Sequence, residues 1–581
     1  MKPEDATGLA EAQPPLTNDQ YYQHARPEIV ALVPIDARRI LDVGCGAGGL
    51  AIKLARRQQA EYDGIEPVTR AADIARGRMT RVWNCPVEEA LEELPEGHYD
   101  CIVVADVFEH LLDPLNVLSR LRSKLAPGGH LVASVPNIQN WSVVAELLRG
   151  RWAYRNEGIL DRTHLRFFTR SSFSEMFWDA GFRIQSVGQT RSDHRPPGRL
   201  VTALHDSGFS PSEVLRDSDA FQFLIDAVVP TPQPQPKITV VVLNWNGQAD
   251  TIGCVQSLTQ VDYVNFEIVV VDNGSTDGSV PAIRAAFPGV GLIETGHNLG
   301  YAGGNNAGIR WALERGTDYV FIINNDTVVD SGLLKAFVRA TELAPEAGVY
   351  GAKIFQEDQT DRLWFAGAEW RPNELEFRHV GFNEPDSIEF NGFREWDYLT
   401  GCALFVDVAV FAKVGLLDED FFLVYEETDW CFRARAQGYR CLFVPQARLW
   451  HKVSVSFGGE GSPLAMYFVT RNKLLWARKH LGAKDRAAVQ RKAWRKVLPR
   501  FERSRDVSAF KSYYWAVTQW LRNARGNLAD PTRRAMLYGL LDYHRGRLGD
   551  CPAYVRRLAA RSRQQHDQQR LAERGQASGH A

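Results

Sequence analysis

The sequence predicts an α/β protein with two doubly wound α/β domains and a helical C-terminal tail. The chain of 581 residues is too long for one ordinary core. Short β-rich runs alternate with helical patterns on both sides of a proline-rich segment at 230–236, which is typical of parallel sheets covered by helices on both faces. After about residue 460 only helical patterns and a polar end remain.

The proline-rich segment is the clearest domain boundary, because alternate prolines hold a chain as an extended, semi-rigid spacer. The predicted segments are a flexible leader at 1–19, a first α/β domain at 20–229, the linker at 230–236, a second α/β domain at 237–460, a helical basic extension at 461–558 and a disordered tail at 559–581.

Cysteine usage and hydropathy favour the cytoplasm. The eight cysteines are scattered without a CxxC pair, which indicates a reducing compartment and no structural zinc site. The polar N-terminal residues do not resemble a signal peptide, and no apolar run reaches the length of about 18 residues that would span a bilayer. We therefore expect a cytoplasmic protein that can lie peripherally at the inner face of the cytoplasmic membrane.

The C-terminal region is strongly basic. From Arg471 onward there are 26 basic and 8 acidic residues, a net charge of +18, whereas the rest of the chain carries −20. Apolar stripes at helical spacing begin at Phe468, Val489 and Phe510. Basic amphipathic helices suit an anionic membrane surface, and the alternative is that the stripes pack onto the second domain. We expect a membrane contact and no nucleic-acid partner.

A glycine-rich turn follows the first apolar strand of the first domain. The segment Ile40–Gly49 reads ILDVGCGAGG and fits two patterns. One is GxGxxG, with Gly44, Gly46 and Gly49, and the other is GxGxG, with Gly44, Gly46 and Gly48. Glycines let a backbone approach a ligand closely, but they do not by themselves decide between a dinucleotide and another cofactor.

Acidic residues at three strand ends narrow the choice of cofactor. Asp42 would repel a pyrophosphate but suits the ammonium group of a bound amino acid. Glu66 ends the next strand, where a carboxylate can accept both hydroxyls of a ribose. Asp106 ends a third apolar strand and opens the run DVFEH. A nicotinamide-dependent oxidoreductase is the alternative, and Asp42 together with Asp106–Pro114 argues against it.

Residues Tyr21–Val229 resemble the class I S-adenosylmethionine-dependent methyltransferases through LDVGCGAG, GIEP and DVFEHLLDP. The resemblance implies a Rossmann-like domain in which Asp42 and Gly44–Gly48 surround the methionine part of the cofactor. It also implies Glu66 on the ribose and Asp106 among the cofactor-binding residues. Many relatives contact the adenine amine with an Asp where this chain has Asn84-Cys-Pro86, so adenine recognition is expected to use backbone groups or to be weak.

Two histidines are candidates for the base of a methyl transfer to a hydroxyl, which requires a proton acceptor. His110 follows the third strand, and His164 lies in the later segment DRTH. The alternative is structural, with His110 capping a helix and His164 holding a loop.

Strand ends also carry the polar groups of the second domain. Asn244 and Asp272 end two neighbouring strands and should face one crevice, where an Asp can bind a pyrimidine base. Asn298 lies in a segment at 296–307, rich in glycine and asparagine, that is predicted to be a ligand-binding loop. Asn325 and Asp326 follow another strand as a hard oxygen site suited to Mg²⁺ or Mn²⁺ carrying a diphosphate.

The segment Ile238–Gly459 resembles the family 2 inverting glycosyltransferases of the GT-A fold, and within them the rhamnosyltransferase-type group. The resemblance is carried by VDNGSTDGS, HNLGYAGGNNAGI, NNDT and FFLVYEETDWCFR. It implies Glu427 as general base, in a place usually held by Asp, and Asp326 as metal ligand with His451 as a further ligand. Four residues are expected to bind the nucleotide sugar: Asn244, Asp272, Asn298 and Asn325.

Together the two resemblances imply a bifunctional enzyme. We expect transfer of a sugar, with rhamnose among the candidates, from a dTDP-, UDP- or GDP-sugar to a saccharide or lipid-linked glycan acceptor. The setting they imply is the synthesis of a bacterial surface polysaccharide such as O-antigen, with O-methylation by the first domain using S-adenosylmethionine. The alternative is a glycosyltransferase whose first domain only binds the cofactor as a scaffold or regulatory module.

Overall fold

The structure is a computed structural model. It describes residues 26–192, 195–206, 217–231, 234–452, 461–498, 526 and 528–562. The chain divides into two units, Met1–Pro232 and Gln233–Ala581. The predicted leader at 1–19 and the third apolar stripe, which begins at Phe510, lie outside the described residues.

A seven-stranded sheet with strand order 3-2-1-4-5-7-6 forms the centre of the first unit. Its last strand in sequence runs antiparallel to both of its neighbours, and the other pairs are parallel. The strands are β1 (Arg39–Val43), β2 (Glu61–Ile65), β3 (Arg81–Trp83), β4 (Tyr99–Ala105), β5 (Leu125–Pro136), β6 (Arg183–Arg191) and β7 (Ala220–Val228).

Helices cover both faces of this sheet. They are α1 (Pro27–Leu32), α2 (Gly49–Ala55), α3 (Thr69–Ala75), α4 (Val87–Ala90), α5 (Pro114–Lys124), α6 (Trp141–Leu147), α7 (Arg170–Asp179) and α8 (Gly198–Asp206). Adjacent residues of one strand enter different hydrophobic cores. In β4, Ile102 and Val104 belong to one core, while Cys101 and Val103 belong to the other. The predicted doubly wound fold is therefore confirmed in this unit.

The second unit contains a larger mixed sheet, ordered β10-β9-β8-β11-β18-β13-β19-β12. In this sheet β14 pairs with β13 and β17 with β19, while β15 and β16 form a separate hairpin. The strands are β8 (Ile238–Asn244), β9 (Phe266–Asp272), β10 (Gly291–Glu294), β11 (Tyr319–Asn324), β12 (Thr327–Val329), β13 (Gly348–Gln356), β14 (Leu363–Phe365), β15 (Ala368–Arg371), β16 (Glu376–His379), β17 (Arg394–Trp396), β18 (Ala403–Asp407) and β19 (Arg440–His451).

The helices of the second unit fall into two groups. Those of the α/β region are α9 (Gln248–Leu258), α10 (Ser279–Ala286), α11 (Gly300–Glu314), α12 (Leu333–Leu343), α13 (Val408–Val414) and α14 (Glu426–Ala436). Those after it are α15 (Pro463–His480), α16 (Ala483–Val497), α17 (Pro531–His544) and a last helix at 553–562. The parallel strands β8 to β11 and the helices that follow them give the predicted GT-A type of α/β architecture.

The prediction of a loop at 296–307 is wrong, because α11 begins at Gly300. Two glycines of this helix pack directly on β8, where any side chain would overlap a neighbour. A Cβ atom at Gly304 would clash with Leu243, and one at Gly308 would clash with Val241. The glycines therefore allow a close helix–sheet contact rather than a mobile loop.

The apolar stripes of α15 and α16 are buried, so they are not membrane-facing surfaces. Leu474 and Val489 lie in one core with Phe421, and Phe468 stacks on Phe422 in another. Hydrophobic burial against the α/β region explains why these helices belong to the second unit.

The C-terminal end is helical further than predicted. The last helix reaches residue 562, so the expected disordered tail does not begin at 559, and residues from 563 lie outside the described part of the chain. Among the described helices, none combines the length and the hydropathy needed to cross a bilayer.

Candidate functional site

The turn between β1 and α2 in the first unit has a backbone that only glycine adopts easily. Gly44, Gly46 and Gly48 have φ values of +74°, +54° and +79°. A Cβ atom at Gly44 would lie 2.6 Å from Cγ2 of Val107. The N–H of Gly46 donates to Oε2 of Glu66 at 2.9 Å. The turn is therefore strained for other residues and is tied to the end of β2.

This turn opens on a cavity of about 1480 Å³. Of the residues predicted for this unit, all except Gly48 line it: Asp42, Gly44, Gly46, Glu66, Asp106, His110 and His164. Burial raises the pKa of Asp42 to about 7, with Arg26 opposing this and Glu66 adding to it. Burial likewise raises the pKa of Glu66. A cationic ligand group beside these carboxylates would offset their desolvation.

Asp106 is already engaged by protein groups. Its carboxylate accepts hydrogen bonds of 2.7 Å from Arg26, Ser134 and Gln222. Asn84 donates to the carbonyl oxygens of Glu66 and Pro67 instead of lining the cavity. The structure therefore gives Asn84 the role of holding the strand end that carries Glu66.

His110 and His164 lie side by side on the cavity wall. Their ring centroids are 4.8 Å apart, with the rings close to perpendicular. Nδ1 of His110 lies 3.2 Å from the carbonyl oxygen of Thr163, and Nδ1 of His164 lies 3.0 Å from that of Ile159. Glu109 lies beside both rings on the same wall. It belongs to the run DVFEH, but no role was predicted for it from the sequence.

In the second unit, Asn244 and Asp272 are register partners at the carboxyl ends of β8 and β9. Nδ2 of Asn244 donates to Oδ1 of Asp272 at 2.7 Å. Asn325 lies next to them, because its amide contacts Oδ1 of Asn244 at 3.5 Å and donates to Thr251 at 2.9 Å. Both Asn244 and Asp272 are buried.

A cavity of about 140 Å³ lies beside this group. Among the predicted residues, Asn298, Asn325 and Asp326 line it, whereas Asn244, Asp272, Glu427 and His451 do not. Its wall also includes residues that no prediction named, among them Trp245, Tyr301 and Arg556. Arg556 forms an ion pair with Asp550 and comes from the last helix. It is remote from the motifs in sequence, so no spacing could have indicated it.

Asp326 and His451 form a buried pair whose donor atoms suit a cation. Oδ1 of Asp326 lies 3.2 Å from Nε2 of His451, because β12 pairs with β19 in a register that places Thr327 opposite His451. Ligands bound at about 2.1 Å in an octahedral site are about 3.0 Å apart when adjacent. The observed spacing therefore fits two adjacent ligand positions, and a carboxylate oxygen suits Mg²⁺ or Mn²⁺.

Glu426 and Glu427 begin α14, and the chain reaches them through an unusual backbone. Phe422, Val424 and Tyr425 have φ values of +63°, +67° and +79°, which is strained for residues with a Cβ atom. Oε2 of Glu426 and Oε2 of Glu427 are enclosed, and no described residue offers either atom a hydrogen bond. Burial raises the pKa of both carboxyls.

The strained segment at 421–425 is held by α15. The side-chain amide of Asn472 donates to the carbonyl oxygens of Phe421, Leu423 and Val424 at 2.7–2.8 Å. Arg471 adds a bond of 3.0 Å to the Phe421 oxygen. Both side chains are completely buried, so the backbone that leads to Glu427 depends on this helix.

We expect Asn472→Ala to lower the free energy of unfolding by about 3 kcal/mol, because buried carbonyl oxygens would lose their donor. Sugar transfer should fall with it, since Glu427 follows the released segment. Urea unfolding and activity at low denaturant concentration would measure both effects. Gln490→Ala removes a partly exposed amide from α16 and serves as control. Equal stability of the two variants would contradict the prediction.

Comparison with known proteins relates both units to families of transferases. A family model described as methyltransferase domain matches residues 18–187. One described as glycosyl transferase family 2 matches residues 239–398, and one described as glycosyl transferase family group 2 matches residues 319–561.

Three relatives illustrate the similarity. The low-salt glycan biosynthesis hexosyltransferase Agl10 of Haloferax volcanii is 24% identical over 201 residues, which is 34% of this chain and 62% of that protein. This chain thus spans less than two thirds of that relative. The dTDP-rhamnosyl transferase RfbF of Shigella flexneri is 24% identical over 262 residues, covering 42% and 80%. The ubiquinone biosynthesis O-methyltransferase of Psychrobacter arcticus is 31% identical over 177 residues, covering 29% and 67%.

Proposed function

We propose that this chain, which belongs to the class I S-adenosylmethionine-dependent methyltransferases through its first unit and to glycosyltransferase family 2 through its second, has two activities. The second unit carries out an inverting, metal-dependent sugar transfer, and the first unit carries out an O-methylation. The observation that carries the sugar transfer is the buried pair of Asp326 and His451 beside a cavity lined by asparagines. Incubation with a panel of nucleotide sugars, followed by measurement of nucleoside diphosphate release, would test it.

Glu427 is the proposed base that takes the proton of the acceptor hydroxyl. Inversion requires this base on the face of the sugar opposite the leaving diphosphate. The enclosed Oε2 of Glu427 and the raised pKa of its carboxyl support this role, because a base of raised pKa accepts a proton more readily near neutral pH.

Asp326 and His451 would hold a divalent cation, either Mg²⁺ or Mn²⁺. A bound cation supplies the charge that neutralises the leaving diphosphate. Asn298 and Asn325 are proposed to bind the diphosphate and sugar of the donor, while Asn244 and Asp272 bind its nucleoside. Rhamnose is the sugar we favour, because one relative is named as a dTDP-rhamnosyl transferase.

In the first unit, the cavity residues are proposed to bind S-adenosylmethionine. Asp42 would lie at the ammonium group, Glu66 at the ribose and Gly44–Gly48 along the backbone of the ligand, with Asp106 keeping Arg26 in place. The cofactor supplies the methyl group. His110 or His164 would take the proton of the acceptor hydroxyl, since both rings border the same cavity.

We expect Gly46→Val to lower the affinity for S-adenosylmethionine by at least about tenfold, because a side chain at φ +54° strains the turn and disturbs the hydrogen bond from the Gly46 N–H to Glu66. Calorimetry on the full chain would measure this. Gly97→Val is the matched control, since Gly97 also has a positive φ of +59° but has open space around it. No binding to the unchanged protein at millimolar cofactor would refute the proposal. Binding without methyl transfer would instead identify the first unit as a binding module.

We also propose that the enzyme acts at the inner face of the cytoplasmic membrane on a saccharide or lipid-linked acceptor of a surface polysaccharide. The basic charge after Arg471 supports this, and exposed cations such as Arg491 and Arg495 on α16 remain available to anionic lipid.

Arg491→Glu combined with Arg495→Glu should therefore reduce sedimentation with anionic vesicles, and added salt should do the same, because surface attraction is screened. The control reverses two exposed cations of the α/β region, Arg310→Glu and Lys413→Glu. Equal sedimentation of both double variants at low salt would oppose a membrane-binding role for α16.

A further inference from the structure

Three potential metal ligands meet on one wall of the cavity in the first unit. A carboxylate oxygen of Glu109 and ring nitrogens of His110 and His164 all lie within 4.8 Å of one another. Glu109 and His110 belong to the single helical turn Phe108–His110 after β4. The backbone N–H groups of Leu165 and Arg166 donate to the carbonyl oxygen of Glu109 at 2.7 and 3.0 Å. Backbone bonds thus keep the two segments together without any ligand.

The environment of the Glu109 carboxylate is the first observation that indicates a ligand at this position. Its side chain is 1% exposed, and neither carboxylate oxygen has a hydrogen-bond partner among the described residues. The nearby Arg26 is bound to Asp106. A buried carboxylate without a partner is costly, and a cation at this position would remove that cost.

The histidines are the second sign, because their hydrogen bonds fix the proton positions. A carbonyl oxygen only accepts, so Nδ1 of His110 and Nδ1 of His164 must carry the proton in the contacts with Thr163 and Ile159. Each neutral ring then presents the lone pair of Nε2. Histidine ligands of metals commonly donate their other ring N–H to a backbone carbonyl in this way.

We propose that Glu109, His110 and His164 bind one divalent cation at the edge of the methyl-donor cavity. Two imidazoles and one carboxylate favour a borderline ion such as Zn²⁺ or Mn²⁺ over Mg²⁺. Bonds of about 2.1 Å require the three donor atoms to approach one another more closely than 4.8 Å. His110 is exposed and can make that movement.

This inference rests on the proposed methyl transfer, specifies its acceptor and replaces the histidine base, because a ring with Nδ1 protonated and Nε2 bound to a cation cannot take a proton. Three protein ligands leave positions of the cation open toward the cavity, where two neighbouring hydroxyls of a saccharide can bind. The cation lowers the pKa of a bound hydroxyl, so its proton leaves to water. The new O–CH₃ bond forms as the C–S bond of the sulfonium breaks, and the sulfonium becomes a neutral thioether. The acceptor class is therefore a sugar with adjacent free hydroxyls.

The test measures how many metal ions each molecule of the full-length protein binds. Protein stripped with a chelator is dialysed against Zn²⁺ or Mn²⁺, and bound metal is measured by mass spectrometry of the elements. We expect two equivalents on the unchanged protein, one in each unit. Glu109→Gln and His164→Gln should each weaken one site by about tenfold or more, whereas Asp326→Ala should weaken the other. Mg²⁺ should bind the Glu109 site least.

Two further measurements separate this inference from the proposed function. Glu109→Gln should keep its S-adenosylmethionine affinity, since the cofactor residues are untouched, and circular dichroism checks its fold. Normal cofactor binding with unchanged metal content in Glu109→Gln would overturn the cation site alone. Failure of the unchanged protein to bind the cofactor would overturn the methyl transfer. Methylation of an acceptor that has only one isolated hydroxyl, at a rate that a chelator does not lower, would also contradict the proposed role of the cation.

Discussion

Replacing Glu427 by Gln is expected to lower the turnover of sugar transfer by roughly a hundredfold or more, the usual contribution of a general base. Binding of the nucleotide sugar should change little, because the cavity lined by Asn298, Asn325 and Asp326 does not include Glu427. The raised pKa of the Glu427 carboxyl also predicts how the rate of sugar transfer depends on pH. Since the base works deprotonated, activity should be lost as the pH falls through a value above 4.5, the ordinary pKa of Glu.

Glu426→Gln is the matched control for this experiment. Both carboxyls lie in the first turn of α14, and both have an enclosed Oε2 without a partner among the described residues. If only Glu427 faces the acceptor, loss of Glu426 should cost much less. Retained activity in Glu427→Asp would show that the site works with a carboxylate on either the longer Glu or the shorter Asp side chain. Full activity of Glu427→Gln would remove the base from our scheme.

Asp326→Ala should reduce both metal-dependent donor binding and turnover, because Asp326 carries the only charge in Asn324-Asn-Asp326. Nucleotide-sugar affinity, measured with and without EDTA, should differ in the unchanged protein and be nearly the same in the variant. Asp330→Ala is the control, since that carboxylate pairs with Arg448 at the end of β12. Nucleoside diphosphate release that is indifferent to EDTA would oppose a metal-dependent reaction.

The fold was predictable where a local pattern matches a strand or helix period. The apolar runs of β8 and β9 each end in a polar residue, Asp106 directly follows β4, and parallel pairing brings such ends to one edge. Asn244 and Asp272 are register partners for this reason. The same reasoning failed at Gly300, because glycine composition carries the signals of a loop and of a tightly packed helix alike.

Other features depend on contacts between residues far apart in sequence. From the sequence, the stripe containing Phe468 and Leu474 is equally compatible with a membrane surface and with a protein core. The contacts with Phe421 and Phe422 in the folded chain show that it is part of a core. The position of Arg556 on the wall of the cavity that Asp326 also lines follows from the packing of the last helix. Glu109 is an ordinary acid in the sequence, and its burial without a partner is visible only in three dimensions.

The hydrogen bonds from Asn472 to the segment before Glu427 determine where this chain can be cut when chimaeric proteins are made from it. A chimaera cut after the last strand, near residue 460, would keep every sequence motif of sugar transfer and yet omit α15, whose Asn472 and Arg471 hold that segment. The exchangeable cassette therefore extends through the C-terminal helices to about residue 562. Grafts built to that limit should transfer catalytic competence, whereas shorter grafts should transfer only the motifs.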